Sequence, residues 1–337
     1  MPGGDVPVLR CRGRVRAGGG ARSGMTTRSA GPVAGAGPVA PSLVRRGRRP
    51  GRRWRSPARG LHHAPGHPAL DAWQQVLPAS AAFSHLTAAR LHGWWLPQLP
   101  DALPVLVDQP ESEHRTRLPG IRVTRTTGPV PTTELDGLRV TTAPQTLLAC
   151  ARDLALLDVV VLVDSALRAG CRPEDVRAVC LPRRRGVVVL RQALALADPR
   201  SESPWETLLR VMHVVLGAPV VPQHVVRDDT GRFVARGDLW LEGTTTLHEY
   251  DGAVHREPAQ HEADLRRLRS LTAAGWTRRG YTSADLRDRA ASVARDVDAA
   301  LGRAHDPART RRWLALLAPS TLTPAGRARL TRRLTRH

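Results

Sequence analysis

The sequence predicts an α/β fold in two structured parts behind an Arg-rich head, and three observations carry that prediction. After a polar linker at residue 201 the pattern runs helix, strand, strand, helix, strand, helix, which is the alternation of an α/β sheet flanked by helices. Between residues 69 and 198, helical periodicity broken by Pro and Gly surrounds a few brief strands, the mark of a mainly helical α+β unit. Residues 1–60 are rich in Gly, Pro, Ala and Arg and offer no apolar face to bury.

The head ends in RRGRRPGRRWR and holds fourteen of the chain's arginines against one acid, Asp5. It is expected to be disordered, either as a tail that neutralises phosphates or as a solvated start upstream of a true beginning at Met25 or later. In the first structured part, Ser84 is placed to cap a helix running to His92 and stopped by Gly93. PVLVDQP and IRVTRTT follow as strands. Pro144 then sits at a helix start and Gly170 at a stop, so GLRVTTAPQTLLACARDLALLDVVVLVDSALRAG predicts two packed helices. A helix opened by Pro173, the break LPRRRG and the helical VVVLRQALALA complete this part.

Beyond the linker DPRSES, SPWETLLRVMHVVLG spaces Leu208, Leu209, Met212, Val215 and Leu216 along one helical face. RFVARGDLWL and TTLHEYDG read as a hairpin, with Gly243 supplying a positive φ in the turn. AQHEADLRRLRSLTAA is a helix ended at Gly275, WTRRGYT a strand, and SADLRDRAASVARDVDAALGRA helical, which bounds the second part at 201–304. Residues 305–337 form a basic, partly helical tail.

Composition excludes several classes. The chain has 337 residues, a formal net charge of +21 and no lysine, so all 51 basic residues are arginine. No apolar run approaches the ~20 residues of a membrane span. Cys11, Cys150, Cys171 and Cys180 show neither zinc spacing nor a disulfide framework, and the N-terminus lacks the apolar core of a secretory signal. A cytoplasmic protein without membrane contact is expected.

The chemistry concentrates in LHEYDGAVH, residues 247–255, where Glu249 and Asp251 share one face of a strand. Asp238 on the preceding strand comes within reach of both if the hairpin pairs. Three carboxylates so placed repel one another and raise their pKa values unless a cation lies between them. A hard divalent ion, Mg²⁺ or Mn²⁺, is one answer, because it takes carboxylate oxygens and leaves positions for a phosphate and a water. Pairing with Arg266, Arg267 or Arg269 of the next helix is the other. Glu206 belongs to a capping box with Ser203 and Pro204, which alone explains it. His255 can donate a proton to a leaving oxygen or be a simple loop histidine.

Taken together, SPWETLLR, RFVARGDLWL, LHEYDGAVH, DLRRLRSL and GWTRRGYTSADL resemble a family related to very-short-patch-repair endonucleases, within the PD-(D/E)xK restriction-endonuclease-like superfamily, over about residues 201–290. The resemblance implies a restriction-endonuclease-like mixed sheet flanked by helices. It implies that Glu206, Asp238 and Glu249 hold the metal, and that Asp238, Glu249, Asp251 and His255 carry the hydrolysis of DNA. Asp251 stands where the superfamily name places lysine, as it does in the related family, so Arg267 or His255 would supply the positive charge. Arg236, Arg266 and Arg267 are then the residues expected on the DNA backbone. FSHLTAARLHGWWLP and VTTAPQTLLACA, within 69–195, resemble the central region of AbiEi-type antitoxins, which implies a toxin protein as a partner. The alternative function is a non-catalytic DNA-binding or antitoxin-like regulator that keeps the nuclease fold as a scaffold.

Overall fold

Arginine-rich as it is, the segment before residue 64 holds β structure in the computed structural model, which describes residues 44–49, 51–64, 69–100, 103–181, 183–252 and 258–335. The expected head therefore divides: residues 1–43 and 50 lie outside the described residues, whereas 44–49 and 51–60 are not the disordered stretch their composition predicts. Strands β1 (Val44–Arg46), β2 (Arg55–Ala58) and β3 (Leu61–His63) form an antiparallel sheet in the order β1-β3-β2. β3 anchors it, because Leu61, His62 and His63 are all buried. The ring of His62 bridges Ser56 Oγ at 2.7 Å and the carbonyl of Gly47 at 2.8 Å. Side-chain burial on one short strand outweighs the composition of the whole segment.

A mixed sheet follows. Helix α1 (Ala69–Val76), strand β4 (Ala82–Phe83), helix α2 (His85–Leu91) and strands β5 (Val105–Pro110), β6 (Ile121–Thr126), β7 (Thr132–Leu135) and β8 (Leu138–Thr141) give the strand order β6-β5-β4-β8-β7. β5 runs parallel to β6 and β4 parallel to β8, while the other pairs are antiparallel. Trp73 of α1 and Phe83, Val107 and Val140 of the sheet make one apolar cluster. Asp136 and Gly137 both have positive φ, 49° and 77°, as the two-residue turn between β7 and β8 requires.

Helices α3 (Ala143–Ala151), α4 (Leu156–Arg168), α5 (Pro173–Val179) and α6 (Val187–Leu196) cover this part. α4 is buried from Leu157 to Ala166, the behaviour of an apolar run too long for a surface helix. Helix α7 (Pro204–Val215) opens the second sheet, with strands β9 (Val220–Arg227), β10 (Phe233–Leu241) and β11 (Thr246–Tyr250), helix α8 (Pro258–Ala273) and strand β12 (Thr277–Tyr281). The strand order is β12-β11-β10-β9, antiparallel except for the parallel pair β11 and β12 joined through α8. Leu239 and Leu241 share the large core with Leu208, Leu209 and Met212 of α7. Leu247 packs instead with Leu271 of α8 in a smaller cluster. The sheet thus lies between one helix that precedes it and one that interrupts it. Helices α9 (Ser283–Asp288), α10 (Ala290–Ala300), α11 (Pro307–Leu317) and α12 (Pro324–Thr335) close the chain.

The architecture is mixed α/β. The segments on the two sides of Ser201 share the large core, since α4, α7 and the C-terminal helices all contribute to it. A buried polar network joins them: Asp164 of α4 accepts from Arg210 Nη2 at 2.7 Å, Thr207 Oγ1 at 2.8 Å and the amide of Asp198 at 2.7 Å. The basic tail is no appendage either. Trp313 is fully buried and donates its indole N–H to the carbonyl of Leu286, and Ser320 and Thr321 donate to the buried Asp158. Among the described residues no helix is long and apolar enough to cross a membrane. Replacing Arg210 with Ala leaves the Asp164 charge buried without its guanidinium, and an expected loss of about 3–5 kcal/mol in urea unfolding follows. The double variant Asp164→Leu, Arg210→Met is expected to lose less than the single one.

Candidate active site

The acidic residues singled out in the sequence do converge. β10 and β11 pair with Leu239 opposite His248 and Trp240 opposite Leu247, and extending that register by one residue sets Asp238 opposite Glu249. Asp238 Oδ2 accepts the amide of Tyr250 at 2.9 Å, which fixes the carboxylate across the two strands. The first turn of α7 brings Glu206 to the same place. Burial first, and then the charges of Glu206 and Glu249, push the Asp238 carboxyl up to about 6.

The capping box foreseen at Glu206 forms in altered shape. Ser203 caps α7 by accepting the amide of Glu206 at 3.2 Å, but the Glu206 carboxylate accepts the amide of Glu202 at 2.7 Å rather than that of Ser203. The same oxygen, Oε2, takes the side-chain amide of Gln223 at 2.9 Å. Gln223 sits in β9 at φ 54°, a left-handed conformation that costs a non-glycine residue on the order of 1 kcal/mol or more. Nothing in the sequence singled Gln223 out.

Glu249 is 4% exposed and is held by two guanidinium groups. Arg267 of α8 donates to both its oxygens, from Nη1 to Oε2 at 2.9 Å and from Nη2 to Oε1. Arg278 of β12 donates its Nε to Glu249 and its Nη2 to Asp251 at 2.5 Å. The arginine pairing foreseen as the alternative to a metal is therefore present. Arg267, expected on a DNA backbone, is instead occupied by Glu249 and by the carbonyl of Arg236. Arg278, which the sequence reading missed, contributes as much, and it does so through the parallel pairing of β12 with β11. Arg236 reaches Glu202 at 2.8 Å, and Arg266 lies exposed beside Glu262. His255 falls outside the described residues.

Glycine makes room for this arrangement. A Cβ on Gly280 would stand 1.7 Å from Asp251 Oδ2, so only glycine lets that carboxylate lie across β12.

Four carboxylates, Glu206, Asp238, Glu249 and Asp251, face two guanidinium groups, Arg267 and Arg278, which leaves two formal negative charges (4 − 2). Oxygen donors and a residual charge of this size fit a hard divalent ion. Among the described residues, no group of three or more His, Cys, Asp or Glu side chains stands ready as a metal cage. Glu249 could reach an ion only by giving up Arg267 and Arg278.

Behind the acidic face, His248 of β11 is fully buried. Its Nδ1 lies 2.7 Å from Nε2 of His213, whose Nδ1 meets the carbonyl of Leu209 at 2.7 Å. Burial drives both imidazoles to the neutral form, His213 to about 4 and His248 further.

No protein-family model matches the chain. Two curated proteins of Mycobacterium tuberculosis, "Uncharacterized protein MT2308" of strain CDC 1551 / Oshkosh and "Uncharacterized protein Rv2248" of strain ATCC 25618 / H37Rv, are each 32% identical over 171 residues, or 48% of this chain. The chain spans 63% of the length of these relatives, less than two thirds. Among solved structures, the crystal structure of the RV2827C protein from Mycobacterium tuberculosis is similar at a TM-score of 0.32 and 16% identity, over 47% of this chain and 64% of that one. A likeness of that size carries no argument about fold or activity.

Two expectations follow from the geometry. Because the folded state holds the Asp238 proton more tightly than the unfolded chain does, ionising Asp238 costs stability. That cost is absent below the unfolded pKa near 4, grows as pH rises toward 6, and is complete above it. Asp238→Asn is expected to stabilise the fold by roughly 1–3 kcal/mol at pH 7.5 and by nothing near pH 4, as read from urea unfolding at the two pH values. Gly280→Ala is expected to destabilise by about 1–3 kcal/mol, because the new methyl drives Asp251 off Arg278.

Proposed function

We propose that this chain is a divalent-metal-dependent nuclease hydrolysing DNA phosphodiester bonds, on a restriction-endonuclease-like domain over residues 201–304. The observation that supports the reading best is Asp238, an acid kept half-buried against two others at a cost to stability. Functional sites are where such strain is retained. The helix, three antiparallel strands, helix and parallel strand of α7 to β12 agree with that fold class.

In this reading Asp238 and Glu206 hold Mg²⁺ or Mn²⁺, with Glu249 joining them. When bound, the ion supplies positive charge to a phosphate oxygen and lowers the pKa of a water. The residues of the chain do the rest. Gln223 and the amide of Glu202 orient Glu206, and the amide of Tyr250 orients Asp238. Arg278 holds Asp251 just past the end of β11, and in this reading the Asp251 carboxylate accepts a proton from water. Arg267, once exchanged off Glu249, carries its charge to the scissile phosphate, the task that lysine performs elsewhere and that no residue of that type can perform in this chain.

One observation favours the second reading, a DNA-binding regulator without catalysis: both oxygens of Glu249 are already neutralised by arginine. The two are separated by incubating the full chain with supercoiled and linear DNA in Mg²⁺ and in Mn²⁺, beside Asp238→Asn and Glu249→Gln. Nuclease activity is expected to fall at least about a hundredfold in Asp238→Asn while the far-ultraviolet spectrum is unchanged. DNA binding without cleavage in either metal, equal in wild type and variants, would establish the regulator instead.

A further inference from the structure

Away from the acidic cluster, the end of α3, the first turn of α6 and helix α12 line an open cavity of about 510 Å³. None of these elements contributes to the acidic site. The polar side chains that line it are Arg152, Arg184, Arg185, Arg329 and Arg333. Asp153 meets two of them, Arg333 Nε at 3.1 Å and Arg185 Nη2 at 3.7 Å, so five guanidinium groups against one carboxylate leave four formal positive charges (5 − 1).

Such crowding is unfavourable by itself. Arg329 and Arg333 are four residues apart on α12, where like charges on one helical face repel. Burial first, and then Arg185, Arg329 and Arg122, lower the pKa of Arg333 against the pull of Asp153. Arg329 Nη2 donates to the carbonyl of Pro319 at 3.1 Å, but its Nε is buried with no hydrogen-bond partner. A buried donor on a cation without an acceptor is costly unless a ligand supplies one.

The backbone adds to the same field. Gly186 heads α6 at φ 92°, and a Cβ there would lie 2.9 Å from the amide nitrogen of Arg152 and 3.0 Å from the carbonyl of Leu148. Glycine is what allows α6 to start so close against α3. Val188 and Val189 also line the cavity, and as the second and third residues of α6 their N–H groups have no intrahelical acceptor. No side chain caps that end.

We propose that this cavity binds a polyphosphate group. Among the described residues its lining holds no aromatic ring to stack on a base and no side-chain acceptor to read one, so the ligand is recognised by charge and by phosphate oxygens. The source is either a free polyphosphate anion or successive phosphates of a DNA backbone. The inference stands apart from the proposed nuclease activity.

The test is calorimetric titration of inorganic pyrophosphate into the full chain in metal-free buffer with EDTA, which removes the acidic cluster from the experiment. One site per chain is expected, weakened at least about tenfold in Arg329→Gln with Arg333→Gln, and also in Arg185→Gln. Arg185→Gln guards against a folding artefact, since that side chain is 66% exposed. A duplex oligonucleotide that displaces pyrophosphate, and whose own binding falls in the same variants, identifies the ligand as DNA backbone. An oligonucleotide bound equally by wild type and variants and indifferent to pyrophosphate identifies it as a free polyphosphate. No heat with pyrophosphate, or heat that the arginine variants leave unchanged, overturns the proposal.

Discussion

The ion pair between Asp164 and Arg210 is the constraint on which the arrangement of this molecule turns. Both side chains are buried, and Arg210 also donates to the carbonyl of Leu196 at 2.5 Å. Desolvating two charges is unfavourable unless every remaining donor and acceptor is met, and here Thr207, the amide of Asp198 and the Leu196 carbonyl meet them. The pair fixes α7 against α4. Glu206 lies four residues before Arg210, one helical turn away, so the network that seats the helix also sets where Glu206 meets the sheet.

A chain with arginine as its sole strong base uses guanidinium as a cross-link. The planar fork binds a carboxylate through two hydrogen bonds and stays charged when buried, which an ammonium does less well. Arg267 spans from α8 to β11 in this way, and Arg278 joins two carboxylates of the neighbouring segment. Asp298 of α10 repeats the pattern: Arg303 and Arg309 reach Oδ1 at 2.7 and 2.8 Å while His305 approaches Oδ2 at 2.9 Å. Arg303 also donates to the carbonyls of Leu216 and Gly217, and so ties α10 to the end of α7.

Much of this was legible in the sequence where a single face or a single turn decides the outcome. The apolar spacing of α7, the positive φ of Gly243 and the proximity of Asp238 to Glu249 follow from local periodicity and the two-residue repeat of strands. The hairpin of β7 and β8 was also written there, in the Asp136-Gly137 pair between two leucines, but read as a lead-in to helix α3. β9 was missed because its alternation is broken by Pro222 and by the left-handed Gln223. The partners of the acids were least legible. Arg278 meets Glu249 through a parallel pairing, and no pattern within either strand states that the two will be neighbours.

That parallel pairing has a kinetic side. β10 and β11 bring together residues nine apart in the chain, Leu239 and His248, whereas β11 and β12 bring together residues thirty-one apart, Thr246 and Thr277. Closing the longer loop costs more entropy before any contact rewards it, so the hairpin is expected to pair before β12 docks through α8. Until that moment β11 is an open edge, Glu249 is solvated, and Arg278 is elsewhere. The acidic site is therefore complete only once β12 has docked, and a chain in which that pairing is open presents the unpaired edge of β11 to a second chain.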